Sequence, residues 1–192
     1  MTSSATAPLN IFYRSKLWSF IWAYIALIYL TLPLMRNILR WIKSSFGPES
    51  LSLGLNLLLA CAALALLATA LRHGLKTLLL IAVPLAAMGS LALQLPIAEE
   101  RIHFLQYGLL GLLVVKTTRL RSTLQLLAAG LFVIAVGGGD ELIQWWLPNR
   151  VGDWRDVGIN TLAGLLGVAM GASLFWREAK QPQALKSDST IS

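Results

Sequence analysis

The chain has 192 residues, of which 56% are apolar and only 13% charged, and its mean hydropathy is +0.67. A soluble domain carries about 25% charged residues, so this composition excludes an ordinary soluble domain. It also excludes disorder, which needs low hydrophobicity and high charge. A single cysteine, Cys61, can form neither an intramolecular disulfide nor a cysteine-cluster metal site. The chain therefore reads as an all-α integral membrane helical bundle.

Charged residues divide it into six uncharged runs: 17–35, 50–71, 77–98, 102–115, 122–139 and 157–176. A helix needs about 20 apolar residues to cross the hydrocarbon layer. Four runs meet that length. The fourth meets it when extended back to Pro96, with proline in a permitted first-turn position. The fifth meets it when extended to Leu147, which places Asp140 and Glu141 near its end. About six transmembrane helices result, plus an interfacial amphipathic helix over 35–46. That segment sets Arg36, Arg40 and Lys43 on one side and Leu39, Ile42 and Phe46 on the other, a pattern suited to anionic headgroups. The segments 1–16 and 177–192 are polar and are expected to be flexible tails.

Positive charge orients the bundle. With both termini cytoplasmic, the inner segments hold Arg14, Lys16, Arg72, Lys76, Lys116, Arg119, Arg121, Arg177, Lys180 and Lys186, more than half of the sixteen Lys and Arg. The net charge of +7 is explained by this topology, and nucleic acid is not an expected partner.

The acids concentrate more sharply. Glu99, Glu100, Asp140, Glu141, Asp153 and Asp156 all fall in the last two outward segments. In the fourth helix Glu100, His103, Tyr107 and Gly111 share one stripe. In the fifth, Gly137–Gly139 precede Asp140, Glu141 and Gln144. Glycine lets another backbone or a ligand approach closely, and ionisable groups near hydrocarbon are functional candidates by default. In the sixth, Asp153, Asp156, Asn160, Gly164, Gly167 and Gly171 recur at helical spacing. Asp153 is suited to an N-cap, the glycines to close helix packing, and Asn160 to a polar partner. Each stripe also has a plainer reading. Glu99 and Glu100 can stabilise a helix start, His103 can anchor at the interface, and the carboxylates can simply emerge into water. Together the stripes converge on an outward-facing, acid-rich pocket, with Arg150 in the following turn placed to neutralise it or hold a phosphate.

Three blocks in order now resemble a family. Glu99-Glu100-Arg101-x-His103-Phe104-x-x-Tyr107-Gly108, Asp140-Glu141-x-x-Gln144-x-x-x-Pro148-x-Arg150 and Asp153-x-x-Asp156-x-x-x-Asn160-Thr161-x-x-Gly164 are similar to the VanZ-like family over roughly residues 75–176. The two spans in 17–74 show no motif of it. Asn149 stands where glycine is usual, Ala163 where glycine is common, and Gln106 where an acid often stands. The resemblance implies a bacterial inner or plasma membrane protein, in a family named for low-level resistance to teicoplanin, a glycopeptide acting outside the cell.

Two functional readings follow. The first is a cell-envelope factor that binds a membrane lipid or lipid-linked precursor through its headgroup. The second is an enzyme acting on such a substrate, with Glu100 or His103 as acid or base and Asp140 and Glu141 holding a divalent cation. Glu100, His103, Asp140 and Glu141 are the catalytic or ligand-binding candidates in either case. Tyr107, Gln144, Arg150, Asp153, Asp156 and Asn160 are ligand-binding candidates. No conspicuous Ser, Thr or Cys joins them as a nucleophile. A transporter fits least well, since the chain has no internal repeat. No particular cofactor is specified by these residues.

Overall fold

A computed structural model describes residues 16–118, 120, 122–148 and 152–176. Every element among them is helical: α1 (Lys16–Phe46), α2 (Pro48–Arg72), α3 (Leu75–Gln94), a short 3-10 turn (Ala98–Arg101), α4 (Ile102–Thr118), α5 (Thr123–Trp146) and α6 (Trp154–Phe175). The α-helices other than α4 are long and apolar enough to cross a membrane. At 17 residues, α4 spans about 25 Å at 1.5 Å per residue, and the preceding turn lengthens it.

Two boundaries differ from the sequence expectation. The fourth helix begins at Ile102, not Pro96. Ile97 is extended, and the Glu100 N–H closes a tight turn onto the Ile97 carbonyl at 3.2 Å. Arg101 pins that turn by donating to Ser52 Oγ (3.1 Å), Asn56 Oδ1 (2.9 Å) and the Leu95 carbonyl (3.2 Å). The segment 35–46 is helical as expected, but it is the unbroken continuation of α1. Nothing between Met35 and Phe46 stops a helix; the break waits for Gly47, at φ 81°, followed by Pro48. Helix α1 is thus about 46 Å long, well beyond a hydrocarbon layer of about 30 Å. Its last turns reach the 3-10 turn, where Lys43 pairs with Glu99.

Neighbouring contacts fix the directions. Trp18 and Trp22 meet Phe132, and Tyr29 donates to the Val136 carbonyl at 2.6 Å, so α1 and α5 run parallel. Gly108 lies beside Gly167, and Val115 beside Gly171, so α4 and α6 are parallel as well. Asn160 meets Gly137 and Gly164 meets Val133, so α5 runs against α6. The helices alternate up and down, with α4 crossing the same layer as α6. One end of the bundle collects the acids Glu99, Glu100, Asp153 and Asp156; we call it the acidic end.

Lipid tails are as apolar as leucine, so helices in a membrane associate through close packing rather than hydrophobic burial. The α4–α6 seam is built for this. A Cβ on Gly167 would collide with the Gly108 carbonyl, and one on Gly111 with that of Gly164. Around the seam lie Phe104, Tyr107, Leu110, Val114, Ala163, Val168 and Met170, all buried. Helix α1 adds a narrower stripe of Trp18, Ile21, Ile25, Ile28 and Leu32. Outward-facing Leu30, Val83, Leu124 and Leu131 are largely exposed, as lipid-facing side chains should be.

Candidate functional site

Helix α6 starts cleanly because Asp153 caps it, its side chain accepting from the Arg155 N–H at 2.9 Å. The same residue's own N–H donates to Glu141 Oε2 at 3.2 Å. The α6 start is thereby tied to a carboxylate on α5, and Trp145 stacks edge-on against Trp154 at 4.8 Å across the same junction. These tryptophans sit where aromatic residues mark a membrane interface. Asp140 lies six residues before the α5 end, about 9 Å deeper along the axis.

At that depth Asp140 and Glu141 are each only 1% exposed. An ionisable group inside the hydrocarbon costs about 2.5–3.5 kcal/mol at a helix centre, so donors are required. Tyr107 supplies one, its hydroxyl donating to Asp140 Oδ2 at 2.6 Å. Gln144 supplies another, its Nε2 bridging Asp140 Oδ1 (3.3 Å) and Glu141 Oε1 (3.0 Å). Asn160, wholly buried, donates through Nδ2 to the Gly137 carbonyl (3.3 Å) and Glu141 Oε1 (3.5 Å). Gly137 makes that approach possible, since a Cβ there would stand 2.9 Å from Asn160 Cβ. Gly139 has a separate partner, the Tyr29 hydroxyl, and Gly138 faces open space.

His103 stacks on Tyr107 with its ring 7° from parallel and 6.2 Å away. A ring nitrogen of His103 and carboxylate oxygens of Asp140 and Glu141 all lie within 4.8 Å of one another. Glu100 is on the 3-10 turn above, paired with Arg155. Burial is the main influence holding its carboxyl above the usual range; the Asp156 charge adds to this, and Arg155 opposes it. Asp156 lies one helical turn before Asn160, with Oδ1 buried and without a hydrogen-bond partner among the described residues.

Of the expected site residues, Tyr107, Asp140, Glu141, Gln144 and Asn160 form one bonded network, and His103 joins it by proximity. Glu100 lies at its edge with Arg155, and Asp156 one turn from Asn160. Asp153 contributes its cap and its backbone N–H, while its side chain is exposed. Arg150 lies outside the described residues. Arg155 is among the few cations near the acids in sequence, whereas Tyr29 lies outside every stripe. Arg155, which stands off the Asp153–Asp156–Asn160 face, is the described cation on Glu100. Tyr29 belongs to α1, and only its spacing from the buried Ile25 and Leu32 hinted at an inward position.

The VanZ/LLP1 family model matches residues 7–176. The chain belongs to the VanZ/LLP1 family. The match takes in α1 and α2 as well as the motif-bearing segment, which agrees with the ties that α1 and α2 make to the acidic end through Tyr29, Lys43, Ser52 and Asn56. Comparison with curated proteins and with solved structures finds no match.

Proposed function

We propose that this VanZ/LLP1 protein is a cell-envelope factor whose acidic end faces outward and holds the headgroup of a membrane lipid or lipid-linked precursor. In this reading it resides in the bacterial inner or plasma membrane with both termini cytoplasmic, as its Lys and Arg distribution favours. The carrying observation is the buried network of Asp140 and Glu141 held by Tyr107, Gln144 and Asn160. A scaffold needs no acids there. Burying two carboxylates costs stability, which favours a functional role for them, and His103 lies within 4.8 Å of both.

Binding rather than turnover is favoured because the donors fix the two carboxylates in place and no Ser, Thr or Cys stands among them. By the resemblance to a teicoplanin-resistance family, the cellular consequence would be altered access of a glycopeptide to the surface. The test is native mass spectrometry of the full chain released from bacterial membranes, with a teicoplanin susceptibility assay on the same strain. A retained lipid or lipid-linked molecule and a shifted susceptibility are expected. A protein that emerges lipid-free, or that converts the molecule into product, would overturn the binding reading.

A further inference from the structure

The charge around Asp140 leads beyond the headgroup reading. Among the described residues Asp140 makes no ion pair; its partners are the Tyr107 hydroxyl and the Gln144 amide. A carboxylate offers about four acceptor positions, so Asp140 retains unused ones. Beside it is the second buried carboxylate, and against both is an imidazole. Independently, the amide oxygen of fully buried Asn160 has no hydrogen-bond partner among the described residues, while its Nδ2 touches Glu141. Flipping that amide would face its oxygen towards the Gly137 carbonyl and Glu141, so hydrogen bonding alone does not satisfy it.

We propose that His103, Asp140 and Glu141, with the Asn160 side-chain amide against Glu141, bind a divalent first-row transition-metal ion. An imidazole with two carboxylates suits such ions better than Ca2+ or Mg2+, which prefer all-oxygen shells. Ligands at about 2.0–2.2 Å from one ion stand roughly 3–4 Å apart, and a small contraction of the present spacing reaches that. Metal ligands are normally oriented by outer hydrogen bonds. Tyr107 and Gln144 already perform that role for Asp140, and Gln144 and the Asp153 N–H for Glu141. The ion neutralises the buried charge and does not require that a lipid bind above it.

The experiment uses the full chain in detergent, with any affinity tag removed and metal stripped by chelator. Zn2+ and Mn2+ are titrated separately. One ion per chain is expected for at least one metal, with affinity falling at least tenfold in Asp140→Asn and His103→Gln. Wild-type protein supplies a reading that no variant's misfolding can spoil. Of the two histidines, His73 lies exposed at the end of α2. Bound metal should slow acylation of His103 by diethylpyrocarbonate tenfold or more and leave His73 unchanged. Absence of saturable binding by both metals, or equal labelling of His103 with and without metal, would overturn the site. Lipid retention with no metal would sink this inference alone; metal binding with no lipid would sink only the headgroup reading.

Discussion

Tyr107 brings one polar atom into the centre of the bundle, and that atom is spent on Asp140. Tyr107→Phe keeps the ring but leaves a buried carboxylate oxygen short of its donor, a loss of about 1–3 kcal/mol. Thermal unfolding in detergent should show that loss, whereas Tyr24→Phe, whose hydroxyl makes only a 3.2 Å bond to the Gln106 carbonyl, should cost less. Glu100 gives a pH signature. Its pKa is raised in the folded protein, chiefly by burial, so its contribution to stability is full below the ordinary glutamate value. That contribution is lost as pH rises through the raised one. Glu100→Gln should flatten that decline in a melting-temperature series against pH. Arg155→Ala should deepen it, because the opposing charge is gone. A slope unchanged in both variants would show that Glu100 is not buried as described.

Among the elements, the α4–α6 seam is the least forgiving. Gly167→Leu must force a side chain into the Gly108 backbone, and separation of α4 from α6 would also pull Tyr107 away from its partners. Folded yield by size-exclusion chromatography should collapse in Gly167→Leu and stay near normal in Leu165→Ala, a partly exposed position. Comparable yields would mean that the glycine seam is not what joins these helices. Much of this was legible in sequence, since Gly164, Gly167 and Gly171 repeat on one helical face and Asp153 announces the α6 start. The start of α4 was not, because the Arg101 side chain that holds the 3-10 turn finds its partners on α2. The single run of α1 was obscured by charge. Arg36, Arg40 and Lys43 interrupt hydropathy without interrupting the helix, and the membrane thickness, not the backbone, changes their surroundings.

At the scale of the molecule, a lipid-solvated bundle carries its polar chemistry at one end, held by α4, α5 and α6 and braced by α1 and α2. The acids were visible as a concentration in late segments, but their depth was not. Periodicity places Asp140 and Gln144 on a shared face, and the need of a buried amide for partners points Asn160 at the same acids, but neither says that the Tyr107 hydroxyl closes onto Asp140. Orientation is tested by fusion. Alkaline phosphatase joined after Asn149 should be active and joined after Arg121 inactive, and the reverse would turn the acidic end to the cytoplasm. Headgroup binding is tested by lipid retention in Asp140→Asn, compared with wild type in native mass spectra at matched melting temperature. The variant should keep its fold and lose the bound lipid. A variant that stays folded and retains the lipid as wild type does would contradict headgroup binding at this site.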